Sequence, residues 1–274
     1  MVHYKLDDFF LSALAHPITK KRTDLKDFKK LSSGVLDARV SMPNTYGYRV
    51  WEEGQECYED WEKNSDYYHN KAQAYKDEII YDTPVYEHFP LSGKILDIGG
   101  GAGTLRQFIP NGSDLVSLDP FEDPVNACPP PKQDAYQCLG APLNFICGNA
   151  EFVPFVEDTF DIVHMRSMLD HVHGPDLAVM EAKRVLKDSG FLLIGMSIEG
   201  DENGKLSLKE LAKELARFLL VKVGFEKFKD HHLWHPSLPS LNKILVDNGF
   251  TPVDTYFQPH WKGRVVYIKA IKTK

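Results

Sequence analysis

From position 93 onward the chain alternates short apolar runs with stretches whose apolar residues recur at helical spacing. KILDI (94–98), DLVSLD (114–119), LNFICG (143–148), FDIVHM (160–165) and FLLIGMSI (191–198) are predicted as strands, each followed by glycines, acids or turn residues. The last is the most uniformly apolar, as a strand covered on both faces should be. In PDLAVMEAKRVLKDSG, Leu177, Met180, Val185 and Leu186 form an apolar helical stripe, with Gly190 as the expected C-cap. Residues 206–223 and 236–250 also read as helices. TPVDTYFQ and RVVYIKAI alternate and read as an antiparallel hairpin around a loop from Pro259 to Gly263. Strands alternating with helices predict an α/β fold: a doubly wound, mostly parallel, seven-stranded sheet with an antiparallel C-terminal hairpin. In such a sheet ligands sit beyond the carboxyl ends of the strands, where the strand order reverses.

The first 90 residues follow another pattern. An amphipathic stretch (Phe9, Phe10, Leu11, Leu14) leads into short runs broken by Ser-Gly and Pro-Asn, the punctuation of small strands and turns. From position 56 the spacing is helical and rich in aromatics, including Tyr58, Trp61, Tyr68 and Tyr75, and Pro84 and Pro90 are expected to close it. The organisation expected is a small N-terminal α+β cap over 1–55, an aromatic helical lid over 56–90 and a core over 91–274.

Composition narrows the class. The chain has 274 residues, 43% of them apolar and 26% charged, which fits neither a disordered chain nor a fibre. No apolar run approaches the ~18 residues of a membrane span. Asp7 and Asp8 precede the N-terminal apolar patch, where a secretory signal carries basic residues. Cys57, Cys128, Cys138 and Cys147 are too scattered for a disulfide scaffold, and a soluble, cytoplasmic protein is expected. A formal charge of −7 argues against a nucleic-acid partner, although Lys20 to Lys30 is a dense basic stretch.

The most informative segment is Asp97-Ile98-Gly99-Gly100-Gly101-Ala102-Gly103. It follows a strand and opens toward a helix, the context that gives a glycine motif meaning. A dinucleotide fingerprint needs a third glycine where Thr104 stands. A carboxylate two residues before the first glycine suits a ligand bringing an ammonium group rather than a pyrophosphate. Asp119, twenty residues after Gly99 at the next strand's end, is placed to accept hydrogen bonds from a ribose. An ammonium, a ribose and no diphosphate describe S-adenosylmethionine. The competing reading makes Asp97 a cap and Asp119 a turn residue.

ILDIGGGAGTL, LVSLDP, FICGNAEFVPFVEDTFDIVHMRSMLDHV and EAKRVLKDSGFLLI resemble the Rossmann-like class I S-adenosylmethionine-dependent methyltransferases, above all the group acting on quinones and natural products. The resemblance implies that Asp97, Gly99, Gly101 and Gly103 surround the methionine moiety and that Asp119 takes the ribose. It further implies that Asn149 and Ala150 flank the adenine, and that Met165 and Arg166 line the cofactor near its sulfonium. Arg166, an odd neighbour for a cation, could instead face an acidic substrate or a partner. The aromatic helix of related enzymes covers the cofactor, which makes Trp61, Tyr67, Tyr68 and Tyr75 candidates for the pocket wall, with packing against the sheet edge as the alternative. Residues 14–54 also resemble a zinc-ribbon-derived domain, through Pro17 to Lys20, the Leu31 to Ser33 turn and a strand from Tyr46 to Val50. The ribbon's cysteines are missing, and no zinc is expected there.

Methyl transfer to a hydroxyl also needs a base, and histidine is the usual one. His171 and His173 follow the fourth core strand; His231, His232 and His235 sit in DHHLWHP. The candidate catalytic residues are His171, His232 and His235, against cofactor lining or loop packing. The HHxxH spacing invites a metal, but Leu233 stands where a zinc-protease glutamate would and Pro236 breaks the helix, so no metal is expected. The expected function is methyl transfer to oxygen, nitrogen or carbon of a small molecule. The alternatives are RNA or protein methylation, or a cofactor-binding regulatory subunit without turnover.

Overall fold

The computed structural model describes residues 4–41, 46–64, 72–110, 114–225, 230, 232–259 and 264–273, without the side chains of residues 46, 47, 61–64, 72 and 214. Seven strands build the central sheet: β4 (Lys94–Ile98), β5 (Asp114–Asp119), β6 (Leu143–Cys147), β7 (Phe160–Arg166), β8 (Leu186–Ile198), β9 (Phe250–Gln258) and β10 (Arg264–Lys272). Their spatial order is β6-β5-β4-β7-β8-β10-β9. Strands β4 to β8 are parallel, while β10 runs antiparallel to both β8 and β9. The chain winds outward from β4 to β6, then restarts at β7 beside β4. The carboxyl ends of β4 and β7 therefore flank the switch point.

Helices cover both faces and bury two apolar clusters, one around Leu96, Val163, Leu192 and Leu241, the other around Ile95, Phe145, Leu193 and Tyr267. Alternate residues of β4 and β8 feed opposite clusters, as the strand repeat demands. Among the described residues no helix is long and apolar enough to cross a membrane.

Residues 4–37 are woven into this sheet. Strand β1 (Tyr4–Lys5) and β3 (Leu36–Asp37) pair in parallel with β6, and β2 (Lys29–Lys30) pairs with β3. Helix α1 (Asp8–Ser12) buries Phe10 against Phe155 and Phe160. Lys20, in the basic stretch, is paired with Glu181 at 2.5 Å.

The structure corrects three local expectations. Tyr46 to Val50 is not a strand: helix α2 (Tyr46–Asn64) runs straight across the expected boundary at 55, and the resemblance to a ribbon has no structural counterpart there. Pro84 lies inside helix α3 (Ala72–His88) instead of ending it. The buried side chains of Asp82, Val85 and Tyr86 on either side of Pro84 hold the helix together past the lost hydrogen bond. Gly190 does not cap a helix, because α6 (Pro175–Val185) ends five residues earlier and Gly190 belongs to β8. A Cβ at Gly190 would stand 2.5 Å from the Asp161 carbonyl oxygen, so the close approach of β7 requires the glycine. Two short helices, α4 (Pro124–Ala127) and α5 (Pro130–Ala135), follow β5. Helix α7 (Leu208–Lys222) and α8 (Leu238–Asp247) begin with Ser207 and Ser237 capping boxes.

Candidate functional site

A cavity of about 390 Å³ opens at the switch point, within the range of small-molecule sites. Its floor is the bend after β4. Gly99, Gly101 and Gly103 all have positive φ (72°, 48° and 72°), a conformation that only glycine adopts without strain. Gly99, Gly100 and Gly101 line the cavity, and a Cβ at Gly101 would meet nothing within 4 Å. The backbone here is bare toward whatever occupies the space. Gly103 instead closes against Leu143, and only a short 3₁₀ turn (Thr104–Phe108) follows it.

Asp119 lines the cavity at the tip of β5. Its Oδ2 accepts from the Gly101 N–H and its Oδ1 from the Phe121 N–H, both at 2.9 Å. Burial pushes its pKa up to about 6 against those two hydrogen bonds, with the charges of Asp97 and Glu59 adding to the rise. Each carboxylate oxygen keeps a lone pair for a ligand hydroxyl. Asn149 and Ala150 line the same cavity after β6. The Asn149 Oδ1 already accepts the Val40 N–H at 2.9 Å, which turns the amide and leaves its NH₂ as the group with donors to offer. The N-terminal segment thus braces a site residue directly.

Asp97 is placed differently. It is buried beneath the bend and does not line the cavity; its Oδ1 lies 2.7 Å from His164 Nδ1, and His164 Nε2 lies 3.2 Å from the Tyr86 hydroxyl. A Cβ at Gly100 would meet Asp97 Oδ2 at 2.6 Å, so the carboxylate supports the bend from below. Met165 is fully buried in the core. Arg166 does reach the cavity, but its guanidinium is forked onto the Asp82 carboxylate of α3, with Nη2 to Oδ1 at 2.8 Å. Gln258 of β9 donates to the same Asp82 oxygen at 2.8 Å.

The opposite wall comes from α2 and α3. Trp51, Gln55, Tyr58 and Glu59 descend from α2, and Tyr75 and Glu78 from α3. Tyr67 and Tyr68 lie outside the described residues, as does the side chain of Trp61. Glu78 was missed from the sequence. Burial raises its pKa, and the Tyr136 hydroxyl donates to its Oε2 at 3.1 Å. Its signal was legible in principle: Tyr75, Glu78, Asp82, Val85 and Tyr86 share one face of α3, so two acids interrupt an otherwise apolar stripe.

Of the candidate histidines, His171 lines the cavity, with its ring 5.0 Å from that of Tyr58. His232 stands behind it, ring centroids 4.6 Å apart. His235 is farther out, its nitrogens 3.1 Å from Glu199 Oε1 and 3.2 Å from Asp230 Oδ2. His231 lies outside the described residues.

Comparison with known proteins places the fold and the central segment of the chain. Residues 96–194 match the family model for a methyltransferase domain. An uncharacterized methyltransferase of Schizosaccharomyces pombe is 25% identical over 134 residues, covering 46% of this chain. The match spans about half of that relative, 48% of its length. The ubiquinone/menaquinone biosynthesis C-methyltransferase UbiE of Shewanella piezotolerans is 28% identical over 170 residues, covering 59% of this chain and 67% of that protein. Among solved structures, the 1,6-didemethyltoxoflavin-N1-methyltransferase of Burkholderia thailandensis, with bound 1,6-didemethyltoxoflavin and S-adenosylhomocysteine, has a similar fold. Its TM-score is 0.56 at 19% identity, over 86% of this chain and 95% of that one.

Proposed function

The chain carries the methyltransferase domain of S-adenosylmethionine-dependent enzymes, and from that premise we propose that it methylates a small molecule held in the cavity beside His171. One observation carries the choice of substrate class. A single cavity of about 390 Å³ joins the bare glycine bend and Asp119 to an aromatic and charged wall that α2 roofs over. Two relatives bear names that put a methyl group on small molecules, one at carbon and one at N1.

The residues present fit the cofactor: the cradle at Gly101 has no side chain to fill it, and the Asp119 carboxylate has lone pairs facing the cavity. Asp119 would hold the ribose hydroxyls, Asn149 would donate to the adenine beside Ala150, and Gly99 to Gly101 would lie along the methionine part. Bound there, S-adenosylmethionine supplies an electrophilic methyl carbon. The remaining work of this chain is alignment and exclusion of water. Met168, Val172 and the α2 side chains Trp51 and Tyr58 supply the dry wall. Arg166, paired with Asp82, puts a fixed guanidinium plane at the tip of β7, where the pair would present little net charge to the cofactor. His171 would face the acceptor, with His232 and His235 behind it.

Calorimetry with S-adenosylmethionine, S-adenosylhomocysteine and NAD tests the cofactor, followed by a metabolite screen for S-adenosylhomocysteine formation. Binding of the sulfonium nucleoside and turnover on a small acceptor are expected. Binding of NAD alone, or methyl label transferred only to RNA or protein, overturns the reading.

A further inference from the structure

Beside the cavity, where His171 lines it, three side chains with metal-ligating atoms converge. Asp170 follows β7 in a tight turn and is 8% exposed, and its Oδ1 is buried without a hydrogen-bond partner. That Oδ1 lies 3.8 Å from His171 Nε2, and Oδ2 lies 3.8 Å from His232 Nε2. Both distances are too long for hydrogen bonds. One donor atom from each residue falls within a 4.8 Å circle. Ligands about 2.1 Å from a tetrahedral ion stand about 3.4 Å from one another. The two Asp170–histidine gaps, one to each carboxylate oxygen, exceed that by a few tenths of an ångström, and the three donors as a set must draw in from a spread of up to 4.8 Å to close on an ion.

The surroundings hold these donors in place. His232 Nδ1 is 2.6 Å from Asp230 Oδ1, which fixes the ring with Nε2 toward Asp170. A carboxylate behind a ligating imidazole is the usual outer support of a metal site. The Leu233 N–H donates to the Asp170 carbonyl at 2.7 Å, tying the two segments through the backbone. A buried carboxylate facing two imidazoles without bonding either has lost water and gained little. A cation between them would restore the balance.

We propose that Asp170, His171 and His232 bind one divalent first-row transition ion of the zinc, cobalt and nickel class. Two imidazoles and one carboxylate favour these ions over magnesium or calcium, which take oxygen ligands. The set differs from the His231/His235 pair suggested by sequence spacing. His171 lines the cavity, so the ion stands at the acceptor's side. Resting on the methyl-transfer reading, the ion takes an acceptor hydroxyl oxygen as a further ligand and eases loss of its proton to water.

The test is titration of the untagged chain with Co²⁺, followed by calorimetry and by visible absorption, with S-adenosylhomocysteine binding measured separately. One Co²⁺ per chain, displaced by Zn²⁺, is expected. Exposed His232→Ala and isosteric Asp170→Asn should each weaken Co²⁺ binding at least about tenfold. His232→Ala should keep the wild-type melting temperature and S-adenosylhomocysteine affinity. A wild type that takes up no stoichiometric ion, or variants that bind Co²⁺ with less than that loss, overturns the site. A chain that binds Co²⁺ but no S-adenosylhomocysteine retains the metal site and overturns the methyl-transfer reading instead.

Discussion

Asp119 titrates where experiments are easily done. Its pKa is raised to about 6, mainly by burial, and only the ionised form can accept from both ribose hydroxyls. S-adenosylmethionine affinity should therefore hold above pH 7 and fall about tenfold per unit well below pH 6. Asp119→Asn should bind roughly ten- to hundredfold more weakly, with no such pH dependence; calorimetry across pH 5–8 checks both. Folding stability moves the other way. Between 3.8 and about 6 the folded chain keeps a proton that the unfolded chain has released, so this group's contribution is greatest at low pH and is lost as pH rises through about 6. Asp97 makes a contrasting case. With its Oδ1 on buried His164, Asp97→Ala should cost about 1–3 kcal/mol in denaturant unfolding, because the imidazole loses its partner. A variant with unchanged stability and weakened cofactor binding would instead return Asp97 to direct contact with the ammonium. Asp119 was legible in the sequence because a strand tip and a spacing of twenty residues are local facts. The pairing of Asp97 with His164, 67 positions away, was not, because only the register of β4 against β7 creates it.

At the scale of elements, hydrophobic periodicity served where neighbours agree with local preference. The apolar runs became β4 to β8, and the alternating end became the hairpin of β9 and β10. It failed where packing overrides punctuation. Pro84 reads as a stop, yet the helix continues because Asp82 and Tyr86 are both pinned in the interior. Gly190 reads as a cap, yet it lies in a strand that passes too close to Asp161 for any side chain. Gly190→Ala should accordingly destabilise by about 1–3 kcal/mol despite alanine's ordinary backbone. Helix α7 shows another limit of pattern reading. Its capping box and periodicity make a sound helix, but Leu208, Leu211, Leu215, Phe218 and Leu219 stay exposed. With so little buried, its amides should exchange with deuterium well before those of α6 or α8, which mass spectrometry of peptides would show.

The whole molecule is more continuous than three consecutive parts. The first 41 residues contribute strands to the edge of the sheet and orient Asn149 through Val40. α2 and α3 furnish one wall of the cavity. The wall was anticipated in the aromatic pattern of residues 56–90, but the added strands could not be read from composition or spacing, since the pairing of β3 with β6 joins residues more than a hundred positions apart.

The Asp82 carboxylate, 0% exposed, is where these parts meet: Arg166 grips it from β7, Gln258 from β9, and it belongs to a helix that precedes the first strand of the matched family segment. A fragment cut to begin at residue 91 would retain the guanidinium and the amide but forfeit the anion that satisfies them. The cut also takes the buried Val85, Tyr86 and Phe89 away from the cluster around Ile95 and Tyr267, at about 1.5–3 kcal/mol for each apolar side chain, a large share of what holds a typical domain folded. Such a fragment should emerge as aggregate or as a loosely packed state, visible by its missing near-ultraviolet dichroism. The same fragment supplied with residues 1–90 as a separate chain should recover a native spectrum, making the two pieces halves of one cooperative unit.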